Sequence, residues 1–251
     1  MVVKVGTSTV CHKNGALNLR RLDLLCRTLA DLKNEGMDII LVTSGAIGAG
    51  VHKISLPEKP RELSRRQAAA AIGQTELMRV YDRFFNDYGF HTGQILLTKD
   101  FIENPVAKAN VISTFNALLD MHAIPIVNEN DSVATEEIVY GDNDTLSAVV
   151  ATFIKADILI LLSDIEGLYD ADPTEYPEAK LIPVVKDVQA IEHAAGGSHT
   201  GQGTGGMVTK LHAAAICTQA GIPMIVANGH DPSILYEIHE GIPHGTYFEA
   251  N

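Results

Sequence analysis

IILVTSGAIGAG, residues 39–50, joins a short apolar run to a glycine-rich turn and then to a helical pattern. Residues 39–42 are all Ile, Leu or Val, the composition of a strand buried on both faces. Thr43-Ser44-Gly45 then breaks the strand where a helix can begin. The same alternation extends outward in both directions. Strand-sized runs occur at 2–5, 94–97, 124–127, 158–162 and 224–227, separated by amphipathic segments. Leu19, Leu22, Leu25, Leu29 and Leu32 form one helical stripe that ends near Gly36. Segments 63–85, 107–121 and 207–220 follow the same period, the last closed by Gly221 with Pro223 beyond. This order predicts an α/β domain with a mainly parallel sheet covered on both faces. The stretch 172–183 carries Pro173, Pro177 and Pro183 and reads as a long connection with room for a hairpin. No linker and no internal repeat divides the chain, so residues 1–251 are expected to form one domain, with room for two lobes.

Composition narrows the function classes. An apolar fraction of 46% is ample for a core, and a net charge of -12 argues against nucleic acid or an anionic membrane as partner. The local cluster Lys59, Arg61, Arg65 and Arg66 reads as a solvated helix start. Three scattered cysteines form no CxxC, which speaks against a disulfide framework or a Cys-based zinc site and suits a reducing cytosol. His239 and His244 are five apart with a proline between them, so they cannot share a helical face as HExxH ligands do. The most apolar run, 158–162, is far shorter than a membrane span, and Met1 leads straight into VVKV with no secretory pattern. A cytoplasmic, soluble protein is expected.

Polar residues collect where the strands stop. Thr43-Ser44-Gly45, Asn128-Glu129-Asn130-Asp131, Ser163-Asp164 and Asn228-Gly229 each follow an apolar run. Ligands of open parallel sheets sit outside the carboxyl ends of the strands, so these four ends are expected to share a site. VTSGAIGAG is not a nucleophile elbow, because Val42 stands where GxSxG needs glycine. GQGTGGMVTK, residues 201–210, satisfies GxGxxG but lacks a preceding strand and a later acidic ribose partner. It also lacks the Gly-Lys of a P-loop. Thr204-Gly205-Gly206 before a helix, with Lys210 on its first turn, still makes a credible polyphosphate cradle, against a plain hinge. VYGDNDTLSA, residues 139–148, groups Asp142, Asn143 and Asp144 in a turn entering a helix, more polar groups than an N-cap requires. Lys4 lies inside the apolar strand VVKV, where it either snorkels out or meets an anion at the strand end.

These residues together resemble the amino-acid kinase family, in its branch that phosphorylates glutamate. The matching segments run in order along nearly the whole chain: VVKVGTS, LVTSGAIGAG, VNENDSVATEEIVYGDNDTLSA, LLSDIEGLYDADP and GTGGMVTK. The resemblance implies a three-layer α/β/α sandwich with glutamate bound towards the N-terminal half and ATP, with Mg²⁺, towards the C-terminal half. It implies catalytic roles for Lys4, Lys210 and Asp144. Ser44, Gly45, Asn128, Asp131, Asp142 and Asn143 would form the glutamate pocket, with Asp131 or Asp142 facing the ammonium and Asn143 able to bond a carboxylate. Lys4, Ser163, Asp164, Thr204, Gly205, Gly206, Met207, Val208, Thr209 and Lys210 would line ATP. No protein ligand is assigned to the metal. The expected partners are L-glutamate, ATP, the glutamyl-phosphate reductase of the same pathway and further copies of this chain in a dimer or tetramer. Many members carry a further RNA-associated domain of the PUA type; this sequence stops where the kinase domain is expected to stop. Rival readings are a sibling kinase acting on N-acetylglutamate, aspartate, carbamate or a nucleoside monophosphate, and a binding protein without turnover.

Overall fold

A computed structural model of the chain describes residues 1–98, 104–133, 143–171, 173, 175–191 and 205–251. Among them one sheet of eight strands forms the frame: β1 (Val2–Val5), β2 (Ile40–Val42), β3 (Thr92–Leu97), β4 (Ile124–Glu129), β5 (Leu159–Ser163), β6 (Val184–Val185), β7 (Met224–Asn228) and β8 (Thr246–Phe248). Their order is β3-β4-β2-β1-β5-β7-β8-β6. Every pair is parallel except β7 with β8. The six strands from β3 to β7 therefore end on one edge, which gathers the polar strand ends expected from the sequence.

Two packed cores explain the layers. Side chains alternate between the faces of a strand, so Val3, Val5, Leu41, Ile126 and Ile160 enter one core and Val2, Val42, Val127, Leu159 and Leu161 the other. The first is closed by α2 (Leu19–Asn34), α3 (Ala46–Lys53), α4 (Leu63–Asp87) and α8 (Ile234–His239). The second is closed by α5 (Pro105–Asp120), α6 (Asn143–Phe153) and α7 (Gly205–Gln219). The expected three-layer sandwich is observed. Lys4 shares the parity of Val2, so its side chain leaves β1 towards the α6 and α7 layer.

The predicted elements recur with boundaries shifted by one or two residues, and a short helix α1 (Thr7–Val10) follows β1. Two strands were not expected, β6 and β8, because neither stands in an uninterrupted apolar run: Pro183 precedes Val184, and Thr246 opens β8. The proline-rich stretch does return on itself: Tyr169 and Leu181 form an antiparallel bridge, with Asp170 N–H donating to the Lys180 carbonyl.

The helix pair α3 and α4 positions the first strand-end loop. Gly45 at the head of α3 has φ 96°, the left-handed region that favours glycine. Gly50 and Gly73 let the two backbones touch: a Cβ on Gly73 would lie 1.7 Å from the Ala46 carbonyl oxygen, and one on Gly50 1.8 Å from that of Ala69. Gly73→Ala is thus expected to force the helices apart and to lower the unfolding free energy by about 3 kcal/mol. Denaturant titration checks this, and an unchanged midpoint would show that the crossing tolerates a methyl group.

Candidate active site

Three charged side chains from three elements meet below the sheet edge. Lys4 from β1, Asp144 from the first turn of α6 and Lys210 from α7 are 7%, 1% and 7% exposed. Lys4 Nζ lies 2.5 Å from Asp144 Oδ1, and Lys210 Nζ lies 3.0 Å from Oδ2. Lys210 also donates to the Gly206 carbonyl at 3.1 Å. The Thr209 hydroxyl is 3.2 Å from Asp144 Oδ2 and 3.0 Å from the Gly206 carbonyl oxygen, and its single proton serves one at a time. Burial alone would raise the Asp144 carboxyl, but the two ammonium groups together hold it below the usual carboxylate range. Two buried cations thus share one anion. Desolvating ammonium groups is expensive, and a cluster with one more cation than anion would be stabilised by further negative charge. Gly6 lies beside the cluster: a Cβ there would sit at ordinary contact distance, 3.8 Å from Lys4 Nζ and 3.9 Å from Ser8 Oγ.

A second, mostly neutral network occupies the ends of β2 and β4. Asn143, the first residue of α6, turns its Nδ2 towards the Thr43 carbonyl at 2.8 Å, Ser44 Oγ at 2.8 Å and Asn128 Oδ1 at 3.0 Å. Asn128 is 2% exposed; its Oδ1 also accepts the Glu129 N–H at 2.9 Å. Its Nδ2 donates to Gln74 Oε1 on α4 at 2.8 Å. Thr43 and Tyr81 share a buried hydroxyl–hydroxyl bond of 2.7 Å. Asn143 Oδ1 is buried with no hydrogen-bond partner among the described residues. Asp131, just past β4, has its carboxyl raised by burial against the opposing pull of Arg66 and Lys59. Those two residues belong to the basic cluster read from the sequence as a solvated helix start. Arg66 is only half-exposed, so the cluster is not purely solvated.

The remaining expected residues sit on the other side of β1. Ser163 ends β5, nearly buried, with its hydroxyl 3.2 Å from Asp164 Oδ1. Its carbonyl accepts the Gly229 N–H at 2.7 Å, which ties the ends of β5 and β7. Gly205, Gly206, Met207, Val208 and Thr209 form the first turns of α7, with Val208 62% exposed. Asp142 and Thr204 lie outside the described residues. Gln74 and Tyr81 were not singled out from the sequence. Both fall on the apolar stripe of α4, where a polar residue seven positions from another was the available signal.

The amino acid kinase family model matches residues 1–228. A glutamate 5-kinase of Clostridium tetani is 52% identical over 251 residues, covering 100% of this chain and 94% of its own. One from Listeria innocua is 48% identical over 255 residues, covering 100% and 92%. Among solved structures, carbamate kinase from Giardia lamblia bound to AMP-PNP superposes with TM-score 0.70 at 14% identity, covering 100% of this chain and 98% of that one. That similarity concerns the fold alone. A family match along most of the chain and relatives about half identical along all of it lead to one conclusion: the chain belongs to the amino acid kinase family, within its glutamate 5-kinase branch.

Proposed function

We propose that this protein transfers the γ-phosphoryl group of ATP to the side-chain carboxylate of L-glutamate, yielding L-glutamyl 5-phosphate, the first intermediate towards proline. The observation that carries the reading is the buried Lys4–Asp144–Lys210 cluster, placed between two sets of polar strand ends. The acceptor is already an oxyanion, so no general base is required. A carboxylate oxygen forms the new O–P bond as the bond from the γ-phosphorus to the bridging oxygen breaks, and ADP leaves with that electron pair. Positioning and charge neutralisation are what remain for the protein to supply. Lys4 and Lys210 neutralise the phosphoryl oxygens from the acceptor and nucleotide sides, and Asp144 holds both ammonium groups in place.

Within the single domain, residues of the N-terminal half would take glutamate and those of the C-terminal half ATP. Ser44 and Gly45 at the head of α3 suit the α-carboxylate. Asp131, Asp142 and Asn143 suit the ammonium. Ser163, Asp164 and residues 204–210 would line ATP. Asp144, the carboxylate of the cluster, is engaged by two ammonium groups, so Mg²⁺ would be held through nucleotide phosphates and water. When bound, it supplies further neutralisation of the phosphates.

The acyl phosphate product is labile, which suits a cytoplasmic enzyme working beside glutamyl-phosphate reductase and assembled as a homo-oligomer. No helix among the described residues is long and apolar enough to cross a membrane. The test supplies ATP and Mg²⁺ with L-glutamate, N-acetylglutamate or aspartate and traps acyl phosphate with hydroxylamine. Hydroxamate from L-glutamate alone is the expected result. Product only from N-acetylglutamate or aspartate would reassign the acceptor, and no product from any would leave a binding protein.

A further inference from the structure

We propose that Gln74 is a positioning residue that holds Asn128 and, through it, Asn143 in the hydrogen-bond polarity of the acceptor pocket. The inference rests on the proposed acceptor site and adds a residue that touches no substrate. Gln74 and Tyr81 are the two buried polar side chains on the buried stripe of α4, which otherwise carries Ala69, Ala70, Gly73, Leu77, Val80 and Phe85. Each reaches a strand end of the pocket: Gln74 meets Asn128, the last residue but one of β4, and Tyr81 meets Thr43 just past β2.

The polarity follows from groups that can act in only one sense. The Glu129 backbone N–H can only donate, which identifies the Asn128 atom beside it as Oδ1. Asn128 Nδ2 must then find an acceptor in a buried site, and Gln74 Oε1 is that acceptor. With Asn128 held at both ends, its Oδ1 accepts from Asn143, and the Thr43 carbonyl demands a donor from the same amide. Asn143 is thereby turned with its NH₂ into the protein and its Oδ1, buried and unpartnered among the described residues, left as an acceptor. Ser44 Oγ lies 2.8 Å from the same Nδ2, whose two protons are shared among three acceptors, so it can accept there while its own proton is given away. The pocket offers an acceptor at Asn143 and a donor at Ser44. That pair suits a free ammonium beside a carboxylate, the two groups of an unmodified α-amino acid. The role first expected for Asn143, bonding a carboxylate through its NH₂, conflicts with this geometry, because that NH₂ is already engaged.

Two substitutions separate positioning from packing. Gln74→Met keeps the shape and removes the acceptor. Gln74→Glu keeps an oxygen for Asn128, and Gln74 Nε2 has no partner among the described residues to lose. Positioning predicts that Gln74→Met raises KM for L-glutamate by about tenfold or more with KM for ATP within about twofold, while Gln74→Glu stays within about threefold for both. A packing role predicts the reverse order, since Met suits an apolar stripe and Glu does not. A wild-type glutamate KM in Gln74→Met overturns the proposal, as does a parallel rise in both KM values. Should Gln74→Met fail to fold, a rise above about tenfold in Gln74→Glu overturns it by itself. Wild-type enzyme that makes no glutamyl hydroxamate would instead remove the acceptor assignment on which the inference rests.

Discussion

Lys210→Ala is expected to leave a folded protein whose kcat falls by about 10²–10³-fold, the scale of removing one preorganised donor to a transferring group. In the proposed reaction Lys210 would act on charge that develops in transit, its ammonium being buried and fixed by Asp144 and the Gly206 carbonyl. Preorganised charge in a site of low dielectric needs no reorganisation when the phosphoryl group moves. The fall should therefore appear in kcat more than in the KM of either substrate. Steady-state hydroxamate kinetics alongside circular dichroism check this. Near-normal turnover in a folded variant would remove Lys210 from the machinery. Lys4→Ala should fall on a similar scale, and the double variant should lose less than the product of the two if both act on one group as proposed.

Asp144→Ala should damage both folding and catalysis. Its carboxylate is the shared partner of Lys4 and Lys210, and removing it leaves two ammonium groups in a buried site. Breaking a buried pair in this way costs about 3–5 kcal/mol, and a drop of that size is expected in urea unfolding at neutral pH. Asp144→Asn keeps the shape without the charge, so it should recover packing but not activity. A variant as stable as wild type would show that the lysines are neutralised by other groups. The pH dependence has a defined sense. The folded-state pKa of Asp144 lies below its ordinary value, so its contribution is present above the unfolded pKa of about 4 and is lost as pH falls through the folded value. Wild type should lose this increment on acidification below about pH 4, and Asp144→Ala should show a flatter acid limb.

Much of the molecule was legible before any coordinate. The strands β1, β2, β3, β4, β5 and β7 declare themselves as short apolar runs and the long helices by a period of 3.6, both local properties of the chain. The strand-end loops declared themselves by position, since a parallel sheet must deliver its carboxyl ends to one edge. Strands β6 and β8 escaped because neither lies in an uninterrupted apolar run. Gln74 escaped for a different reason. On α4 it occupies a core position, and one polar residue on an apolar stripe has no local feature that names its partner 54 residues away.

By itself, then, the sequence determined the layered α/β frame through the order of its apolar runs and helical stripes, and the family through motifs that run in order along the chain. The residues proposed for a phosphoryl-transfer site followed from that resemblance. Only the tertiary structure decided how those residues are paired. It brought Lys4, Asp144 and Lys210 together from three elements and showed that one carboxylate serves two cations. It also turned the Asn143 amide so that its oxygen, not its nitrogen, is left over. Pairing and amide direction depend on contacts between strands and helices distant in the chain, where burial makes every unmet donor costly, and no local pattern carries that information.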